Sequence, residues 1–178
     1  MAAEIHFDAS EIEQLSRAIA GLPGAIKAKA MGRAMRRMTQ MARTRVVRRS
    51  AERLSVSQSK IRKITTAHFN AGSNSIEVIE KSGWISLYEL GATQISRGVR
   101  VRARGSYKSA FIAEMKSGHR GVMKRVGKGR LPIRELYGPN PAHDVTNNPD
   151  EFLPALAEVI EQFLLPRVLH EIDQLLPR

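Results

Sequence analysis

The sequence contains no cysteine, which rules out a disulfide scaffold, thiolate metal ligation and thiol chemistry. Aromatic residues make up only 5% of it, so the core is expected to be aliphatic, built from Ile, Leu, Val, Ala and Met. No apolar run approaches the roughly 20 residues of a membrane-spanning helix, and the N-terminus lacks the basic-then-apolar layout of a secretory signal. Synthesis in a reducing cytoplasm, with no membrane partner, is the expectation. Acids are nearly missing from two long segments. Glu52 stands alone among 13 basic residues between Ile26 and Lys63, and Glu114 alone among 12 between Ser96 and Arg134.

What is present is an apolar fraction of 42% in 178 residues, enough for one domain with a real core. The net charge is +12, yet the segment Glu135 to Arg178 reverses the balance, with eight acids against Arg167 and Arg178. Basic segments attract polyanions through counterion release. They can equally face an acidic partner or an acidic copy of the same chain. Composition leaves both open.

Three parts follow from the patterning: a helical N-terminal part over 1–70, a sheet with a basic hairpin over 71–138, and a closing loop and helix over 139–178. Ala3 to Phe7 reads as an extended lead-in. Asp8 with Glu11 caps a short helix carrying Ile12, Leu15 and Ile19, which Gly21 and Pro23 stop. A long helix then runs from Gly24 to about Arg53. Met31, Ala34, Met35, Met38, Ala42 and Val46 fall in one sector at 3.6-residue spacing. This methionine stripe is core filler or, alternatively, an adaptable partner surface. Arg45 and Arg49 land inside it, so the helix ends or bends there, or that part faces water or another subunit.

Ser55 and Gln58 have capping-box spacing, opening a short helix that buries Ile61 and Ile64. Asn70 to Ser75 is a turn. SIEVIE (Ser75 to Glu80) alternates as a strand with Ile76, Val78 and Glu80 on one face, and WISLYELGAT reads as another strand. Val99 and Val101 alternate with Arg100, Arg102 and Arg104, forming a basic hairpin arm over a polar surface. The alternative is a solvated edge strand whose charges block aggregation. Ala110 to Met115 and Gly121 to Val126 form two strands around a glycine turn. A basic loop, Gly127 to Arg130, leads into Leu131 to Leu136, and Tyr137 to Pro141 ends the sheet. Pro154 suits the first position of a last helix, with Leu156, Val159, Ile160, Phe163 and Leu164 on its apolar face and a kink or restart of the helix expected at Pro166. The fold class is therefore α+β: a mostly antiparallel sheet with an extended basic hairpin, packed by a long N-terminal basic helix and a C-terminal helix.

Catalytic and metal-binding patterns are missing. The five histidines show no tight ligand spacing, and only His143-Asp144 forms an adjacent pair. No serine has a nucleophile-elbow context, and Gly127-Lys128-Gly129 is not a phosphate loop. A nuclease using the basic hairpin would lack paired carboxylates or histidines. No enzyme activity and no cofactor are expected. No base-reading module is present either, so any contact with DNA would be at phosphates and without sequence choice.

The stretch AFIAEMKSGHRGVMKRVGKGRLPIRELYG, Ala110 to Gly138, resembles the phage minor tail protein Z family, the tail-completion proteins of long-tailed phages. That family has a similar "AFI" strand, glycine turn, "V-basic-R" strand, glycine-basic loop and hydrophobic-Pro-Ile run. YELGAT at Tyr88 to Thr93, FLPAL at Phe152 to Leu156 and the opening GLPGAIKAKAMGRAM support the likeness. The resemblance implies a virion protein made in a bacterial host and placed at the head-proximal end of the tail. It implies a ring of copies, expected to be a hexamer, between the tail terminator or tube and the head–tail connector, with genome DNA at its lumen. It carries over no catalytic residues. The alternative is a free, sequence-independent nucleic-acid-binding protein. Candidate DNA or partner contacts are Arg97, Arg100, Arg102, Arg104, Lys124, Arg125, Lys128 and Arg130, with Arg33, Arg36, Arg37 and Arg43 of the long helix as a second set.

Overall fold

The structure, a computed structural model, describes residues 17, 20–21, 23–70 and 75–176. In order it comprises α1 (Gly24–Arg53), α2 (Gln58–Ile64), β1 (Thr65–Asn70), β2 (Ser75–Glu80), a 3-10 turn (Tyr88–Leu90) and β3 (Ala92–Ile95). There follow β4 (Gly98–Val101), β5 (Gly105–Lys108), β6 (Ala110–Glu114), β7 (Arg120–Arg125), β8 (Ile133–Glu135), α3 (Pro141–Asn147) and α4 (Pro149–Asp173). The expected capped helix from Asp8, the lead-in before it and most of the Asn70 to Ser75 turn lie outside the described residues.

The fold is α+β, with three small antiparallel sheets, β1-β2, β3-β4-β5 and β6-β7-β8, in place of one continuous sheet. α1 is unbroken over the range its periodicity predicts. Ala34, Met35, Met38, Ala42 and Val46 are buried together with Ala30, and Met31 is half-buried against them. They pack on Phe152, Leu156, Val159, Leu164, Val168 and Ile172 of α4, with Ile76 and Val78 of β2 in the same core. Small alanines on α1 let the larger side chains of α4 seat between turns. The methionine stripe is core.

A second core holds Leu87, Val99, Val101, Ala110 and Val122, joining the β3-β5 and β6-β8 sheets through their apolar faces. The basic hairpin is thus a seated element and not an arm over a polar surface. Its alternation turns Val99 and Val101 inward and leaves Arg100 and Arg102 outside. Gly98 is obligatory in that seat: at φ 147°, an added Cβ would lie 2.1 Å from the Tyr107 carbonyl oxygen. A third, smaller core of Val47, Ala51, Val56 and Ile61 closes α2 against the end of α1.

Several expectations are corrected. Thr65–Asn70, placed in the helical part, is a strand paired with β2. WISLYELGAT is an isolated Ser86–Tyr137 bridge, a 3-10 turn and then β3. The turn brings fully buried Leu87 and half-buried Leu90 to the same side, and Gly91 in the left-handed region ends it. α2 starts after Ser57 with no side-chain cap, so the Ser55–Gln58 box does not form. Ile61 is buried there and Ile64 only half-buried. α4 starts at Pro149, five residues before Pro154, and continues through Pro154 and Pro166. The hydrogen bond that Pro166 cannot donate would go to Gln162, whose exposed position leaves that carbonyl to water. α3 was not anticipated. Pro141 opens it, and Asn140 contacts Ser82 and Gly83 instead of capping it.

Candidate nucleic-acid and partner interface

Arg45 and Arg49 do not break α1. They reach across to α4, where Arg45 pairs with Glu158 at 3.6 Å and Arg49 with Glu151. Arg53 holds Asp144 at 3.1 Å and Glu151 at 3.3 Å, and Arg33 faces Glu171 at 3.6 Å near the other end. Glu171, Glu158 and Glu151 descend along α4 as Arg33, Arg45 and Arg49 ascend α1, as an antiparallel pair requires, and Asp144 precedes them on α3. Of the eight acids in the C-terminal segment, four are thereby bound to arginines of α1, and Glu135 to His119. The charge polarity visible along the chain is largely consumed inside the subunit.

Arg43 is half-buried and donates to two backbone carbonyls, Nε to Thr65 at 2.9 Å and Nη2 to Arg62 at 2.8 Å. It staples the end of α2 and the start of β1 to α1. Arg104 donates to the Leu54 carbonyl beyond the end of α1, and its Nε is buried without a partner. These two candidates are occupied as internal braces, and their guanidinium groups are withdrawn from the candidate contact surface. Arg33 is partly so. Arg36 and Arg37 are exposed and make no ion pair or hydrogen bond among the described residues, and Arg48, which the sequence did not single out, shares that state.

On the sheets, Arg97, Arg100 and Arg102 are exposed, Arg97 in the β3–β4 turn and Arg100 on the outer face of β4. Lys124 is half-buried in β7, in register with Ala110 and with Arg134, whose exposed cation the alternation of β8 could have flagged. Arg125 lies over the Phe111 ring, 5.0 Å from its centroid. Lys128 and Arg130 stand on the β7–β8 loop, fully out in solvent. Two groups of cations result, one along α1 and one on the β3-β5 and β6-β8 sheets.

One polar cluster was missed entirely. The Glu135 carboxylate accepts hydrogen bonds from Ser86 Oγ at 2.9 Å, His119 Nε2 at 2.8 Å and Tyr137 Oη at 2.9 Å. Partial burial pushes this carboxyl up, but the three donors together outweigh it and leave it below the usual range. Gly121 makes room, since an added Cβ would stand 2.7 Å from Glu135 Oε1. Ser86 and His119 both address the carboxylate and not each other, so the cluster ties the β6–β7 turn to β8. It is not a nucleophile–base pair. Glu80 is the opposite case. It is buried, accepts from Ser50 at 2.9 Å and Thr65 at 3.3 Å on one oxygen, and has no partner for the other. Burial pushes its carboxyl up, against those two hydrogen bonds.

Among the described residues no three His, Cys, Asp or Glu side chains are placed to hold a metal ion, and no helix is long and apolar enough to cross a membrane. No protein-family model, curated protein or solved structure matches the chain.

Proposed function

We propose that this chain is a structural protein completing the head-proximal end of a phage tail. In this reading it forms a homo-oligomeric ring, a hexamer, that joins the tail tube or terminator to the head connector and touches genome DNA without sequence choice. The reading comes from the Ala110 to Gly138 resemblance. The observation that supports its DNA-facing part is the set of cations without partners among the described residues: Arg36, Arg37 and Arg48 on α1, and Arg97, Arg100 and Arg102 on the hairpin. Flexible, exposed cations of this kind suit phosphates and carry no base-reading geometry. Broad attraction between an acidic half and a basic half of successive copies is a weaker basis for the ring, because most of the C-terminal acids are already paired internally.

The same cations favour a second reading, a free sequence-independent nucleic-acid-binding protein. Tails assembled without the protein separate the two. The ring reading expects heads and tails that fail to join, and normal infectious particles would rule it out. The second reading expects the isolated monomer to retard duplex DNA, with an affinity that falls steeply with salt. For the ring, Arg100→Glu/Arg102→Glu is expected to impair joining while melting like the wild type, since both side chains are exposed.

A further inference from the structure

Two exposed surfaces of this chain match each other. The first is the β7–β8 loop, closed at its base by the Val126 amide donating to the Pro132 carbonyl at 3.0 Å. Leu131 is 72% and Val126 61% exposed, more than any other large apolar side chain among the described residues. Between them stand Lys128 and Arg130, exposed and without ion pairs among the described residues. A loop with two bare apolar side chains and two bare cations is poorly suited to water alone.

The second surface is the outward face of α4. Glu161, Leu165, Leu169 and Asp173 follow one another at four-residue steps, each about 40° further round the helix, which makes a slanting ridge about 18 Å long. Leu165 is 46% and Leu169 49% exposed. Glu161 and Asp173 are exposed and are two of the three C-terminal-segment acids without a partner among the described residues. Two half-exposed leucines with a bare acid near each complement a loop that carries two exposed apolar side chains and two cations.

We infer that the β7–β8 loop of one copy docks on the outward face of α4 of the next. Val126 and Leu131 cover Leu165 and Leu169, while Lys128 and Arg130 meet Glu161 and Asp173. The two patches are different parts of the chain, so the contact can repeat head-to-tail from copy to copy. Repeated in that way it closes a ring or extends a filament, whereas reciprocal exchange between two copies would stop at a two-fold dimer, which a ladder of cross-linked species distinguishes. The patch is smaller than the 1,200 Å² or so of a standard stable interface, so the contact is weak singly and gains strength through closure. This rests on the ring reading and names its subunit contact, assigning the loop cations to a neighbouring copy and leaving α1 and β4 to DNA.

The chain has no cysteine, so an introduced pair reports without background. Val126→Cys/Leu169→Cys in the full-length protein is expected to give a ladder of dimers, trimers and larger species on mild oxidation, reversed by reductant. Val126→Cys alone and Leu169→Cys alone are expected to give no ladder. Adding Lys128→Glu/Arg130→Glu should weaken assembly roughly tenfold by mass photometry, about 1.4 kcal/mol. Adding Glu161→Lys/Asp173→Lys to that variant should restore it, and these charge changes should leave thermal melting unchanged at dilutions where the chain is monomeric, because all four side chains are exposed. Dimers from a single-cysteine variant would mean a two-fold contact and overturn the inference. A wild type that assembles while the double-cysteine ladder is missing would overturn it and leave the ring standing. That includes the case in which the leucine face is covered by the chain's own N-terminal residues. A wild type that stays monomeric at all concentrations would end both.

Discussion

Removing the Leu156 side chain measures what holds α4 on α1. Leu156 is 1% exposed in the main core, between Phe152 and Val159 and against the buried face of α1. Leu156→Ala should cost about 2–5 kcal/mol, the lost transfer energy plus the cavity left behind. For a chain of this size each kcal/mol lowers the melting temperature by about 2–4 °C, so a fall of about 4–20 °C is expected. The competing account credits the ion pairs that run along the same helix pair. Arg45 and Glu158 are 34% and 44% exposed and sit 3.6 Å apart, a geometry in which such pairs contribute about 1 kcal/mol or less. Arg45→Gln/Arg49→Gln should therefore cost less than about 2 kcal/mol. Its effect should shrink toward zero at about 1 M salt, where charges are screened within about 3 Å. Thermal melts followed by far-UV circular dichroism at low and high salt compare the two variants directly. The packing argument fails if the arginine variant melts as low as Leu156→Ala, or if Leu156→Ala melts with the wild type.

Two further outcomes follow from single positions. Gly98→Ala forces a Cβ onto the Tyr107 carbonyl at a positive φ, so it should lose more than about 2 kcal/mol, well beyond an ordinary surface change. Unchanged denaturant midpoints for this variant would show that the β4–β5 seat is not as described. Glu80→Gln and Glu135→Gln should show opposite pH trends in melting temperature relative to wild type. Glu80 is raised by burial, so its ionisation penalises the wild type as pH climbs above the unfolded value near 4.3. The glutamine variant should gain on wild type over that climb. Glu135 is held low by its three donors, so its stabilisation is present above about pH 4.3 and lost as pH falls through the lower folded value. Glu135→Gln should therefore lag at neutral pH and converge with wild type in acid. Parallel curves for the two variants would contradict both assignments.

What could be read from residues alone was what local period dictates. The bounds of α1, the inward Ile76–Val78–Glu80 face of β2 and the β6–β7 pair all follow from spacing with a glycine turn or stop nearby. WISLYELGAT misled because an apolar residue at alternate positions fits a strand as well as it fits a turn that brings Leu87 and Leu90 together. α3 hid inside a Pro/Asn-rich loop because a helix of two turns leaves almost no periodicity to count. Arg43 and Arg104 look in sequence like any other surface arginine, and their partners are backbone carbonyls that only the tertiary fold brings within reach. The Glu135 cluster draws Ser86, His119 and Tyr137 from three separate stretches, and no spacing rule connects them.

The charge pattern changes meaning once the helices are paired. Along the sequence, basic and acidic segments suggest a subunit with one cationic and one anionic end. In the fold, Arg33, Arg45 and Arg49 of α1 are matched against Glu171, Glu158 and Glu151 of α4, and Arg53 against Asp144 of α3 and Glu151. Each such pair removes one charge of each sign from the subunit's outer field and leaves the net charge of +12 unchanged. The exposed cations include bare arginines on α1 and β4, which fit a polyanion, and two cations beside exposed Val126 and Leu131, which do not. A phosphate backbone gives an apolar side chain nothing to cover, whereas a leucine ridge bounded by acids does. The loop and the arginine surfaces therefore call for different partners, and screening by salt separates them. Contacts made by the bare arginines should weaken steeply with ionic strength, while the loop contact should retain its apolar share.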